Sequence, residues 1–171
     1  ATLITRPRRF GKTLTMSMVE QFFSIDYAGR SDLFEHLAIW KEEKYRELQG
    51  TYPVISLSFA RIKERDYEKT KQKMCEVLRN IYIKFCYIKD SEKLTDADRA
   101  YYERMLEENI KETDATSSLY QLSDFLYRYY GKKVIILLDE YDTPMQEAFV
   151  DGYWDELVAF TRSLFNSTFK T

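Results

Sequence analysis

Five aliphatic residues in a row, Val134-Ile135-Ile136-Leu137-Leu138, run directly into two acids, Asp139 and Glu140. The first three of the five are β-branched. An unbroken run of this kind, with no alternating polar face, reads as a strand buried on both faces of a parallel sheet. In an open parallel sheet, ligands bind beyond the carboxyl ends of the strands. Asp139 and Glu140 emerge at such an end.

A second segment supplies what those acids would face. Arg6-Pro7-Arg8-Arg9-Phe10-Gly11-Lys12-Thr13 follows the apolar start Leu3-Ile4. Gly11-Lys12-Thr13 closes the P-loop pattern G-x-x-x-x-G-K-[ST]. Gly11 allows a tight turn whose backbone N–H groups converge on phosphate oxygens. A helix should open next, adding its N-terminal N–H groups and dipole. Met16, Met18, Val19, Phe22 and Phe23 fit such a helix, ending near Ser24. One position departs from the pattern. Its first glycine is replaced by Arg6, which does not easily take positive φ, and Pro7 removes one N–H donor. The charges of Arg6, Arg8, Arg9 and Lys12 offset part of that loss.

Read together, the two segments describe a P-loop nucleoside triphosphatase. Lys12 reaches the outer phosphates and the Thr13 hydroxyl ligates Mg2+. Asp139 holds the same ion, often through water. Glu140 orients and deprotonates a water for in-line attack on the γ-phosphate. Asp142 anchors the turn into Thr143-Pro144 rather than binding metal. An acid directly after the metal aspartate is typical of ATPases in which another strand lies between the P-loop strand and the Asp139 strand. That strand usually comes later in sequence and would follow Thr171, with a polar sensor for the γ-phosphate.

Three stretches carry a family resemblance. They are Ile4-Thr5-Arg6-Pro7-Arg8-Arg9-Phe10-Gly11-Lys12-Thr13-Leu14, Tyr52-Pro53-Val54-Ile55 and Leu138-Asp139-Glu140-Tyr141-Asp142-Thr143-Pro144. Across nearly its whole length the chain resembles the prokaryotic AAA-ATPase-like domain family. The Arg-Pro-Arg-Arg-Phe-Gly-Lys-Thr loop is a hallmark of that group, so the absent first glycine is ordinary within it. The resemblance implies ATP binding at Arg8, Arg9, Phe10, Gly11, Lys12 and Thr13, with Leu14 next in the run, and a metal-facing acid at Asp139. It also implies a downstream PD-(D/E)XK nuclease-like domain, which members often carry.

The chain of 171 residues is one ordinary domain. At 44% hydrophobic it has ample material for a core, and a net charge of −2 argues against a polyanion binder. Cys75 and Cys86 fall in one expected helix, where a rise of about 1.5 Å per residue puts them about 16 Å apart, too far for a disulfide. They read as buried thiols of a reducing, cytoplasmic compartment. No stretch is long and apolar enough for a membrane span, and no signal peptide is visible. The chain starts without Met inside an apolar strand and ends at Phe169-Lys170-Thr171 without a stop signal, so it reads as the N-terminal part of a longer domain.

The expected layout begins with strand Leu3–Thr5, the phosphate loop and its helix. A short helical turn spans Asp32–Ala38, with the lone His36 at the surface, and a strand spans Val54–Phe59. Long helices follow at about Asp66–Ile88, Asp96–Ile110 and Ser117–Gly131. The Asp139 strand comes next, then a last helix from about Asp151 past Phe165 with Trp154, Leu157, Val158, Leu164 and Phe165 packed inward. Alternation of strands and helices means a parallel sheet with right-handed crossovers, and thus a three-layer α/β/α fold that is incomplete here. Residues 62–130 exceed one crossover and form a helical insert. Tyr101 and Tyr102 read as aromatic core packing in preference to an exposed partner surface.

Three functions compete. The first is ATP hydrolysis driving a motor or switch for an attached domain or partner. Its arginine finger would come from another subunit of a homo-oligomer, from residues beyond Thr171 or from Arg162. The second is a nucleotide-binding interaction module that does not hydrolyse. The third is nucleic-acid binding through Arg6, Arg8, Arg9 and Lys12, which the acidic balance elsewhere disfavours.

Overall fold

The Ile135 N–H donates to the Pro53 carbonyl at 3.0 Å, and the Phe59 N–H donates to the Asp139 carbonyl at 3.2 Å. These bonds bracket β1 (Val54–Ser58) and β2 (Ile135–Asp139), which pair side by side. The partners advance together along both chains, so the pairing is parallel. The computed structural model describes residues 2 and 10–169. The strand expected at Leu3–Thr5 and the side chains of Arg6, Arg8 and Arg9 lie outside the described residues.

Val54, Ile55 and Leu57 of β1 are buried. All five residues of β2 are only half-buried, so the expectation of a strand covered on both faces is not met. With a single partner strand among the described residues, part of the surface of each residue stays open.

The chain divides into two compact units, one running to Ser56 and including Lys132–Leu137, the other Leu57–Gly131 with Leu138 onward. In the first, α1 (Lys12–Phe23) follows Gly11. Phe22 is buried, and its ring meets those of Phe23 and Phe34 edge-on, each at 5.0 Å. Short 3-10 turns and α2 (Glu43–Arg46) follow, and His36 is exposed as expected. The return to β1 is tied to the end of α1, where Gly50 N–H donates to Phe22 O at 2.8 Å and Tyr52 N–H to Phe23 O at 2.9 Å.

The second unit is helical. Asp66 caps α3 (Tyr67–Lys84) by accepting the Lys69 N–H at 2.9 Å. Met74, Leu78, Ile81 and Tyr82 recur at the three- and four-residue spacing of a buried helical face. A Thr95–Asp98 capping box starts α4 (Asp96–Leu106), and α5 (Glu112–Tyr130) stops at Gly131, whose φ of 65° suits glycine. Tyr102, Met105, Leu119, Leu122, Phe125 and Leu126 complete this core, each at most 1% exposed. Burying one such side chain contributes roughly 1.5–3 kcal/mol. Two buried hydroxyls are satisfied by backbone, with Tyr82 donating to Ser118 O and Tyr102 to Tyr82 O, both at 2.8 Å. Tyr102 is therefore core, as expected, and Tyr101 is half-buried against it.

Several expectations need correction. The first long helix ends at Lys84, and a 3-10 turn (Cys86–Ile88) replaces its last turn. Cys86 is consequently exposed, and only Cys75 is buried. The second helix ends at Leu106, not Ile110, and the third begins at Glu112, five residues early. Residues after β2 form α6 (Asp142–Asp151), where a turn was expected. Pro144 is tolerated there because a first-turn N–H has no intrahelical acceptor. Gly152, at φ 83°, then separates α6 from α7 (Trp154–Phe169). This break resets the helical phase, so Tyr153 is buried and Trp154 is 42% exposed instead of packed inward. Leu157 and Leu164 do pack inward, and α5 makes its most extensive contacts with α7.

Candidate functional site

Gly11 sits at φ 74°, ψ 23°, the left-handed region that a residue with Cβ avoids. No atom lies within 4 Å of where a Cβ would stand, so backbone conformation rather than crowding calls for glycine here. The next residue opens α1. Its first backbone bond runs from Thr15 N–H to Gly11 O at 2.8 Å, reinforced by the Thr15 hydroxyl on the same carbonyl at 2.9 Å. The N–H groups of Lys12, Thr13 and Leu14 precede that bond and have no intrahelical acceptor. No side chain caps them among the described residues. Lys12 is half-buried, while Thr13 and Leu14 are exposed, and Phe10 is 65% exposed. Phe10 and Gly11 thus lead directly into the first turn of α1. Arg8 and Arg9 lie outside the described residues.

The second group of residues lies at the end of β2. Asp139 Oδ1 accepts the backbone N–H of Glu140 at 3.1 Å. Glu140 has φ 51°, the one positive value at a non-glycine among the described residues. Its carboxylate accepts the Thr143 hydroxyl at 3.4 Å, and its carbonyl accepts the Thr143 N–H at 3.2 Å. Both acids are half-buried. Asp142 is the first residue of α6 and binds Gln146 Nε2 at 3.2 Å, so it helps to hold the helix start.

Lys12 and Thr13 belong to the first unit, Asp139 and Glu140 to the second. Arg162 is exposed on α7. Two features were missed in the sequence. Thr143, three residues after Glu140, is a polar partner whose spacing could have flagged it. The positive φ of Glu140 has no sequence signal, because Gly, Asn or Asp would be the usual occupant. Among the described residues no three His, Cys, Asp or Glu side chains cluster for a metal ion. Mg2+ does not require such a cage, since it takes one or two protein oxygens plus phosphates and water. No described helix is long and apolar enough to cross a membrane.

A family model described as a predicted AAA-ATPase matches residues 1–171. No curated protein and no solved structure matches the chain.

Proposed function

The chain belongs to the AAA-ATPase-like family, and from that membership we propose that it binds ATP and hydrolyses it with Mg2+. The observation that carries this reading is Gly11 in the left-handed region directly before a helix that begins with Lys12 and Thr13. That combination leaves three N–H groups and one ammonium at a helix N-terminus, where anions are favoured. Arg8, Arg9, Phe10 and Leu14 complete the proposed nucleotide-binding run.

The residues suit the ligands. The Thr13 hydroxyl and the Asp139 carboxylate are hard oxygen donors of the kind Mg2+ takes, and they would hold it. When bound, Mg2+ draws charge from the phosphate oxygens. Lys12 neutralises charge on the outer phosphates. Glu140 takes the proton of the attacking water on its carboxylate, which the Thr143 hydroxyl helps to orient. A positive φ at Glu140 is retained strain of the kind that gathers at functional sites. Little covalent chemistry is asked of the protein, since positioning and charge stabilisation dominate phosphoryl transfer.

We further infer a three-layer P-loop fold in which β1 and β2 are neighbouring strands, with α3, α4 and α5 as the helical insert between them. Their parallel pairing supports this reading. Turnover would drive an attached domain, such as a downstream nuclease-like domain, or a partner, with an arginine finger from a second subunit or Arg162.

Titration of full-length protein with ATP and Mg2+, followed by phosphate release, tests the proposal. Lys12→Ala should weaken binding by about tenfold or more. Glu140→Gln should bind normally while phosphate release falls by about a hundredfold or more. Wild-type turnover in Glu140→Gln removes the base assignment, and unchanged binding in Lys12→Ala removes the site. Binding without phosphate release by the wild type would instead identify a nucleotide-binding module that does not hydrolyse.

A further inference from the structure

Val150 and Phe149, at the end of α6, are the most exposed large apolar side chains among the described residues, at 78% and 75%. Trp154, across the Gly152 break, presents its ring edge-on to Phe149 at 6.1 Å and is 42% exposed. With Met145, Gln146 and Asp142 they line a shallow recess of about 460 Å³. Exposed aromatic groups that already pack on one another mark interaction surfaces more often than scattered single residues do.

The two stretches that form this recess, α6 and the first turn of α7, carry one sign of charge. From Val134 to Thr161 the chain has seven acids and no lysine or arginine. Asp142, Glu147 and Asp151 lie on α6, and Asp155 and Glu156 form the first turn of α7. Buried Tyr153 sits between the helices. Asp66, at the start of α3, is ion-paired with Lys69 at 3.1 Å, so the carboxylates of α6 and α7 supply the rim. An apolar centre inside a carboxylate rim repels nucleic acid and acidic surfaces.

We propose that the α6–α7 corner docks a basic amphipathic helix of a partner protein. Its apolar face rests on Phe149, Val150 and Trp154, and its lysines or arginines meet the surrounding carboxylates. Helix-in-groove recognition uses anchors spaced like those on one helical face, and charge complementarity speeds the encounter and sets partner choice. Phe149, Val150 and Trp154 have no role in the nucleotide reading, so the two stand or fall separately.

The test uses the full chain with Trp40→Phe, which leaves Trp154 as its only tryptophan. A synthetic amphipathic helical peptide of Leu and Lys is titrated against it, and a Leu–Glu peptide of the same pattern serves as control. The Leu–Lys peptide should shift Trp154 emission to shorter wavelength and saturate, and the Leu–Glu peptide should not. Phe149→Ser should weaken binding by about tenfold or more, with Val150→Ser as a second exposed-site variant. Asp151→Lys with Asp155→Lys should weaken it several-fold at low salt, with the difference shrinking as salt screens the rim. Equal binding of both peptides, or unchanged affinity in both serine variants, overturns the proposal. So does self-association of the chain that Phe149→Ser abolishes and the peptide cannot displace, since the occupant would then be a second copy.

Discussion

Asp139 holds the N–H of Glu140 on its own carboxylate at 3.1 Å, and the residue so held is turned to φ 51°. The backbone leaves β2 through a left-handed residue, and the Glu140 side chain is then met by Thr143, the second residue of α6. A non-glycine in this region stores about 1 kcal/mol. Glu140→Gly should therefore unfold at higher denaturant concentration, by about 0.5–1 kcal/mol, while losing any activity that depends on the carboxylate. Urea unfolding of the two proteins measures the difference. A variant less stable than wild type would show that the Thr143 contact outweighs the strain.

Gly50 sits at a close backbone approach in the first unit. It has φ 65°, and a Cβ there would stand 2.6 Å from the Ala28 Cα. That neighbour is backbone and cannot swing away, unlike a flexible side-chain end. Gly50→Ala should cost about 2 kcal/mol or more through strain and clash together. Gly29 also has a positive φ, at 79°, but open space around it. Gly29→Ala should cost only the conformational part, about 1 kcal/mol. Thermal melts of both variants check the order, and equal losses would rule out the close approach as the cause.

Arg104 grips Asp114 with two bonds, 2.9 and 3.0 Å, joining α4 to α5. The guanidinium hydrogen bonds hold the Asp114 carboxyl below its ordinary value. A carboxyl lowered on folding stabilises the protein above its unfolded pKa of about 3.9, and the gain disappears as pH falls through the lower folded value. Asp114→Asn should thus be less stable by about 1 kcal/mol at neutral pH, and the gap should close in acid as the pH falls through the lowered folded value. A gap that persists unchanged in acid would mean packing, not charge, is being lost.

The two thiols should behave as different chemical groups. Cys75 is buried, and desolvation pushes its thiol up to about 11. Cys86 is exposed on the turn after α3. Native protein at about pH 8 should release one fast equivalent of thiol to a disulfide reagent and the second only on unfolding. Two fast equivalents would show that Cys75 opens to solvent.

Local chemistry determined much of this protein from the sequence alone. Gly11-Lys12-Thr13 announced a helix start after a residue with positive φ, because few other residues serve there. The spacing of Met74, Leu78 and Ile81, and of Leu119, Leu122, Phe125 and Leu126, marked the faces that are buried, because a helix repeats every 3.6 residues. The aliphatic run before Asp139 marked a strand for the same kind of local reason. Contacts between distant residues decided the rest. Tyr153, and not Trp154, is buried because its hydroxyl reaches Thr70 at 3.0 Å and Glu64 O at 2.6 Å, partners far away in the chain. Gly50 is required by Ala28, Asp114 by Arg104, and the left-handed turn at Glu140 by the way β2 hands over to α6. Side-chain periodicity is written residue by residue, but the fit of one segment against another exists only after the chain has closed on itself.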